Sequence, residues 1–347
     1  MKYYLAPMEG LTTYTFRNAW HKYYGDAEKY FTPFISNRHM NSRERNDILP
    51  EHNQGMETVP QILTNRADEF LELAHALADY GYRTVNLNLG CPSGTVVARN
   101  RGAGFLGVPG ELENFLDEIF EKSPLKISIK TRIGMQNLEE WNRLLSIYEK
   151  YPLAELIIHP RLQKEGYGGT PHLEAFAEAL SRLSVPLCYN GDIVSEDSLN
   201  RVLAFLPGTE SVMIGRGILQ NPGLMAELRT ADDRMLSDSQ PDFIAASCLA
   251  DTSSRPIGRA DRLATLRAFH DEILEGYIKI MSGDTNTLYK MKDLWTFLGR
   301  SFENSDKHLK KIKKSSRITE YQTAVDALFR ECRFRTGHPV ESSYSQF

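Results

Sequence analysis

Short runs of apolar, β-branched or aromatic residues recur along the first two-thirds of the chain. Each is followed by a stretch whose apolar residues return at helical spacing. The runs 3–6, 29–34, 58–63, 84–89, 126–130, 155–158, 186–190 and 211–214 predict eight strands. Between them, ADEFLELAHALADY is apolar at Phe70, Leu73, Ala74 and Leu77 and closes at Gly81, with Asn65 as its expected N-cap. Ser195 opens EDSLNRVLAFL, whose first turn carries Glu196 and Asp197 where the helix dipole favours them. Eight strands alternating with helices over about 230 residues fit a (β/α)8 TIM barrel of the usual ~250-residue size. A doubly wound open sheet is the rival, but no GxGxxG follows the first strand.

From about Gln240 the rhythm changes. Polar SDSQPDF and DTSSRPIG lead into RADRLATLRAFHDEILEGYIKIM, and LYKMKDLWTFLGRSF and ITEYQTAVDALFREC follow with helical periodicity and no strand signal. The expected organisation is an α/β barrel over 1–240, a small all-helical C-terminal domain over 250–335, and a tail over 336–347.

Composition narrows the class. Of 347 residues, 41% are hydrophobic and 25% charged, which excludes a mainly disordered chain. No apolar run reaches the roughly 18 residues of a membrane span. MKYYLAPMEGL has neither the apolar core nor the cleavage site of a signal peptide, so a cytoplasmic protein is expected. Cys91, Cys188, Cys248 and Cys332 are scattered without a CxxC pair, which predicts neither a disulfide framework nor a metal site.

A barrel's chemistry sits where its strands end. In order, those ends carry Pro7-Met8-Glu9-Gly10, Gln61, Asn88-Leu89-Gly90-Cys91-Pro92, Lys130-Thr131-Arg132, His159-Pro160-Arg161 with Tyr167 beyond, Asn190-Gly191-Asp192, and Gly215-Arg216-Gly217. Asn-Gly-Asp alone reads as a tight turn. Paired with Gly-Arg-Gly at the next strand end, it matches the phosphate site that a barrel builds from its last two loops. Gln61, Lys130 and His159 offer donors to a heteroaromatic ring, and Pro7 and Met8 an apolar floor. Lys130 could equally form a Schiff base or an ion pair, and His159 could be a core histidine. A thiol with a pKa of roughly 8.5 is mostly protonated at neutral pH, so Cys91 can serve as a general acid.

Taken together, APMEG, NLNLGCP, IKTRIG, HPR with its following YGG, NGDI and MIGRGILQNP resemble the tRNA-dihydrouridine synthases, in that family's order and from residue 3 to about 225. Arg101-Gly102-Ala103-Gly104 stands where family members often carry a richer glycine run, and Pro160 where glycine is common. The resemblance implies an FMN-dependent oxidoreductase that reduces particular tRNA uridines, with NADPH as reductant. It places Pro7, Met8, Gln61, Lys130 and His159 around the flavin ring. It places Asn190, Gly191, Asp192, Gly215 and Arg216 at the ribityl chain and phosphate. Hydride would pass from reduced flavin to a flipped-out uracil, with Cys91 donating the proton and Asn88, Arg161 and Tyr167 meeting the base. A small-molecule FMN oxidoreductase of the dihydroorotate dehydrogenase kind is the alternative, and a non-redox phosphate-binding barrel a further one.

An RNA substrate changes how the charge is read. The whole chain carries 41 basic and 45 acidic residues, a net −4. Residues 1–254 hold 24 and 33 of these, and residues 255–347 hold 17 and 12, so an acidic barrel precedes a basic tail. Lys307, Lys310, Lys311, Lys313 and Lys314 cluster there, with Lys290 and Lys292 upstream. Lys290, Lys292, Lys310 and Lys311 are the expected tRNA contacts, on an enzyme acting as a monomer.

Overall fold

The computed structural model describes residues 1–25, 27–238 and 259–335. The expected domain boundary between 240 and 250, Cys248, and the tail 336–347 lie outside the described residues. Eight parallel strands close a barrel in sequence order: β1 (Lys2–Leu5), β2 (Lys29–Ile35), β3 (Thr58–Ile62), β4 (Thr84–Leu89), β5 (Lys126–Arg132), β6 (Glu155–His159), β7 (Leu187–Tyr189) and β8 (Ser211–Ile214), with β8 pairing back onto β1. The doubly wound rival is thereby excluded.

Strand alternation divides the apolar residues into two sets. Tyr4, Ala6, Phe31, Val59, Ile157, Cys188 and Met213 form a small cluster within the barrel. Their sequence neighbours, such as Tyr3, Leu5, Leu156 and Ile158, face the helices in the larger core. Buried Glu155 accepts from Tyr4 Oη at 2.8 Å and pairs with Lys29 Nζ at 3.0 Å, within the barrel. Pro33 has no N–H for the ladder, and the β2–β3 register slips between Phe31 and Phe34. The Thr32 hydroxyl takes over there, accepting from Gln61 N at 3.1 Å.

The helix Ala67–Asp79 ends as expected, with Gly81 at φ +88. Its start differs: Arg66 is the cap residue, and Asn65 instead donates to the Arg99 carbonyl and accepts from Arg101. Ser195 caps Glu196–Phe205 through Ser198 N. Beyond the barrel come the helices Arg259–Ile280, Gly283–Leu298, Asp306–Lys314 and Ile318–Glu331. The third of these was not expected, because DKHLKKIKK holds few apolar residues and only His308 and Ile312 are buried. Phe16 meets Phe269 edge-on at 5.5 Å, and Thr13 Oγ1 lies 2.9 Å from Tyr277 Oη, so one continuous apolar core joins barrel and helices. Among the described residues no helix is long and apolar enough to cross a membrane.

Candidate active site

The C-terminal strand ends surround a cavity of about 250 Å³. Strand periodicity explains its walls: on β5, Lys130 and Arg132 face the cavity while Thr131 turns outward to Tyr148. Of the expected flavin-site residues, Pro7, Met8, Gln61, Lys130 and His159 all line it. So do Asn190, Gly191, Asp192, Gly215 and Arg216, and, of the others, Asn88, Cys91 and Tyr167.

Lys130 accepts no compensation from the protein: among the described residues no hydrogen bond or ion pair engages its ammonium. Burial, aided by neighbouring Arg132, lowers its pKa to about 8. Cys91 is half-buried, and loss of water pushes its thiol up, against the opposing Ser93 N–H, so it stays protonated at neutral pH. Asn88 shapes its loop, accepting from Gly90 N at 3.0 Å and Cys91 N at 2.9 Å.

His159 is buried, and burial followed by the charges of Arg132, Lys130, Arg161 and Arg216 holds its pKa well below the ordinary value. The ring is therefore neutral. Arg161 Nη1 lies 3.1 Å from Nε2, and an arginine can only donate, so Nε2 accepts and the ring proton sits on Nδ1.

Arg161 departs from expectation. It is fully buried and does not line the cavity. Its Nε donates to Gly168 O, Nη1 to His159 and Asp192, and Nη2 to Gly169 O and Asp192. All five N–H groups are engaged, which leaves none for a base. Asp192, at φ +40 in its turn, bridges Arg161 and Arg216 through both carboxylate oxygens. Asp192 lines the cavity itself and holds the Arg216 guanidinium there. Tyr167, 38% exposed, lies across the cationic wall, its ring centre 4.7 Å from the Arg216 guanidinium and 5.4 Å from that of Arg132.

The tail lysines stand outside the cavity. Lys290 Nζ donates to Gly10 O at 3.0 Å, and Lys292 Nζ to Ser315 O at 2.6 Å. Lys310 and Lys311 are exposed on Asp306–Lys314, as are Lys307, Lys313 and Lys314. The lining residues left unassigned in the sequence include Glu9, Phe34 and Arg132. Arg132 was legible from alternation, two residues beyond Lys130. Phe34 was not, because the register slip at Pro33 aims it.

A closed eight-stranded barrel whose strand-end cavity is lined by Lys130, Arg132, Arg216 and glycines has the architecture of a barrel enzyme with a site suited to an anion. A family model described as dihydrouridine synthase matches residues 4–276, and the chain belongs to that family. A probable tRNA-dihydrouridine synthase of Staphylococcus epidermidis is 30% identical over 230 residues, covering 63% of this chain and 69% of its own. tRNA-dihydrouridine synthase B of Pasteurella multocida is 27% identical, covering 64% and 67%. Probable tRNA-dihydrouridine synthase 2 of Bacillus subtilis is 28% identical, covering 63% and 69%.

Proposed function

We propose that the protein reduces particular uridines of tRNA to 5,6-dihydrouridine, with FMN as its flavin and NADPH as electron source. The observation that carries this is a cavity holding both an uncompensated ammonium, Lys130, and a protonated thiol, Cys91. The residues fit a flavin mononucleotide. The donor set carries that fit, with Lys130 and Arg216 as cations on one cavity wall and the glycines Gly191 and Gly215 lining it, where a Cβ would crowd Tyr189 Oη at 2.8 Å and Met8 Sδ at 3.0 Å. When bound, FMN supplies hydride to position 6 of the uracil ring.

The chain's own residues do the rest. Lys130, Gln61 and the Nδ1–H of His159 give donors to the flavin ring, and Pro7 and Met8 an apolar surface beside it. Asn190, Gly191, Gly215 and Arg216 hold the ribityl chain and phosphate, with Asp192 orienting Arg216. Cys91 keeps its proton until position 5 of uracil takes it up. Asn88 and Tyr167 meet a base that must leave its stack to enter. The exposed lysines of Asp306–Lys314, with Lys290 and Lys292, follow tRNA phosphates, and one monomer suffices for one tRNA.

Mass spectrometry of unmodified tRNA incubated with NADPH and the flavin-loaded protein tests this. A gain of H2 at particular uridines is expected. Unaltered tRNA in the presence of reducible bound flavin would overturn it.

A further inference from the structure

Beneath the cavity floor a line of side chains crosses three strands. Gln61, Asn86 and Ser128 are register partners on β3, β4 and β5, and Asn88 and Lys130 form the next inward-facing pair towards the mouth. Asn88 Nδ2 donates to Gln61 Oε1 at 2.8 Å, and Gln61 Nε2 to Asn86 Oδ1 at 2.8 Å. Asn86 Nδ2 donates to Ser128 Oγ at 2.9 Å, and Ser128 Oγ donates to Val85 O at 3.3 Å. All four side chains are buried.

The direction of this chain is determined by groups that cannot reverse. Gly90 N and Cys91 N can only donate, so Asn88 must present Oδ1 to them and Nδ2 to Gln61. Gln61 must then accept on Oε1 and donate from Nε2, and Asn86 must accept on Oδ1 and donate from Nδ2. Ser128 must accept on Oγ and pass its proton to Val85 O, a carbonyl that can only accept. Each amide has one orientation consistent with both ends. If Ser128 loses its hydroxyl, the Asn86 donor is buried without a partner, which favours a flipped amide and a mismatch that runs up to Asn88.

We propose that Ser128 and Asn86, neither of which touches the cavity, are positioning residues that set the amide of Gln61 and, through Asn88, the loop carrying the Cys91 thiol. This rests on the role given above to Cys91, but the thiol can be read without any turnover. Since burial holds that thiol up, loosening its loop lets water in and lowers its pKa towards the ordinary value.

The test is the rate of iodoacetamide alkylation at Cys91 against pH, followed by peptide mass spectrometry on the full chain, beside single-turnover tRNA reduction by the prereduced protein. Ser128→Ala is expected to alkylate about tenfold faster near pH 8, with its pH profile moved to lower pH, and to reduce tRNA about tenfold more slowly. Ser128→Thr, which keeps the hydroxyl, should restore both changes to within about threefold. In an Asn88→Ala background, Ser128→Ala should add nothing further, because its effect runs through Asn88. An unchanged alkylation profile in Ser128→Ala overturns the proposal, as does additivity with Asn88→Ala. If Ser128→Ala does not fold, Asn86→Ala is read by the same profile and the same additivity. A parent that alkylates as described yet leaves uridine unreduced would overturn the assigned activity and not the positioning chain.

Discussion

Arg161→Met keeps the girth of a long side chain and removes five N–H donors from beneath the cavity. In the parent these hold both oxygens of Asp192, the Nε2 of His159 and the carbonyls of Gly168 and Gly169. Breaking a buried ion pair by deleting one partner costs about 3–5 kcal/mol. Asp192 is 24% exposed and keeps Arg216, so its charge is not stranded, and about 3 kcal/mol, the low end, applies. For a chain of 347 residues that corresponds to a fall in thermal midpoint of roughly 4 °C. Scanning calorimetry on Arg161→Met, Asp192→Asn and the double variant measures it. Arg161 and Asp192 share one network, so the double variant should lose less than the sum of the singles by about 1 kcal/mol or more. A single variant within about 1 kcal/mol of the parent, or strict additivity, would refute the assignment of Arg161 to the scaffold.

Further outcomes follow from the same geometry. Cys91→Ala should keep its flavin and its reduction by NADPH while uridine reduction falls about 10²–10⁴-fold, read by single-turnover mass spectrometry. In the parent the acid must be protonated, and burial raises its pKa, so uridine reduction should stay flat through neutral pH and decline only above the ordinary thiol range. Lys130→Met should weaken flavin retention about tenfold or more, measured by equilibrium dialysis. The flavin-free parent should gain stability between about pH 8 and the ordinary lysine value, because its folded pKa is the lower one, and that gain should vanish in Lys130→Met. Lys310→Ala and Lys311→Ala should each reduce the salt dependence of tRNA binding by about one ion, in filter binding across a salt series, with flavin content unchanged.

Much of this architecture was legible in the chain. β4 and β8 begin and end where periodicity places them, and the other strands shift by one or two residues. Strand-end residues are conspicuous because polar and glycine positions interrupt apolar runs at places where a core would not tolerate them. The burial of Arg161 was not legible for a physical reason. A charged residue after a strand looks available to a ligand, and its burial depends on Asp192, thirty-one positions later, and on two glycine carbonyls. Asn65 failed as a cap because its amide is recruited by Arg99 and Arg101 across a loop. The chain Asn88–Gln61–Asn86–Ser128 is likewise a product of register between strands, which no single segment encodes.

The bond from Lys290 to the carbonyl of Gly10 joins the helical region to the loop that carries Pro7, Met8 and Glu9. Thermodynamic linkage makes such a joint work equally in both directions. If RNA binds the helices as proposed and orders that loop, flavin binding in the barrel is favoured by the same factor. On the function proposed above, this ammonium is one of the contacts through which the helices and the cavity would bias each other, beside the shared apolar core.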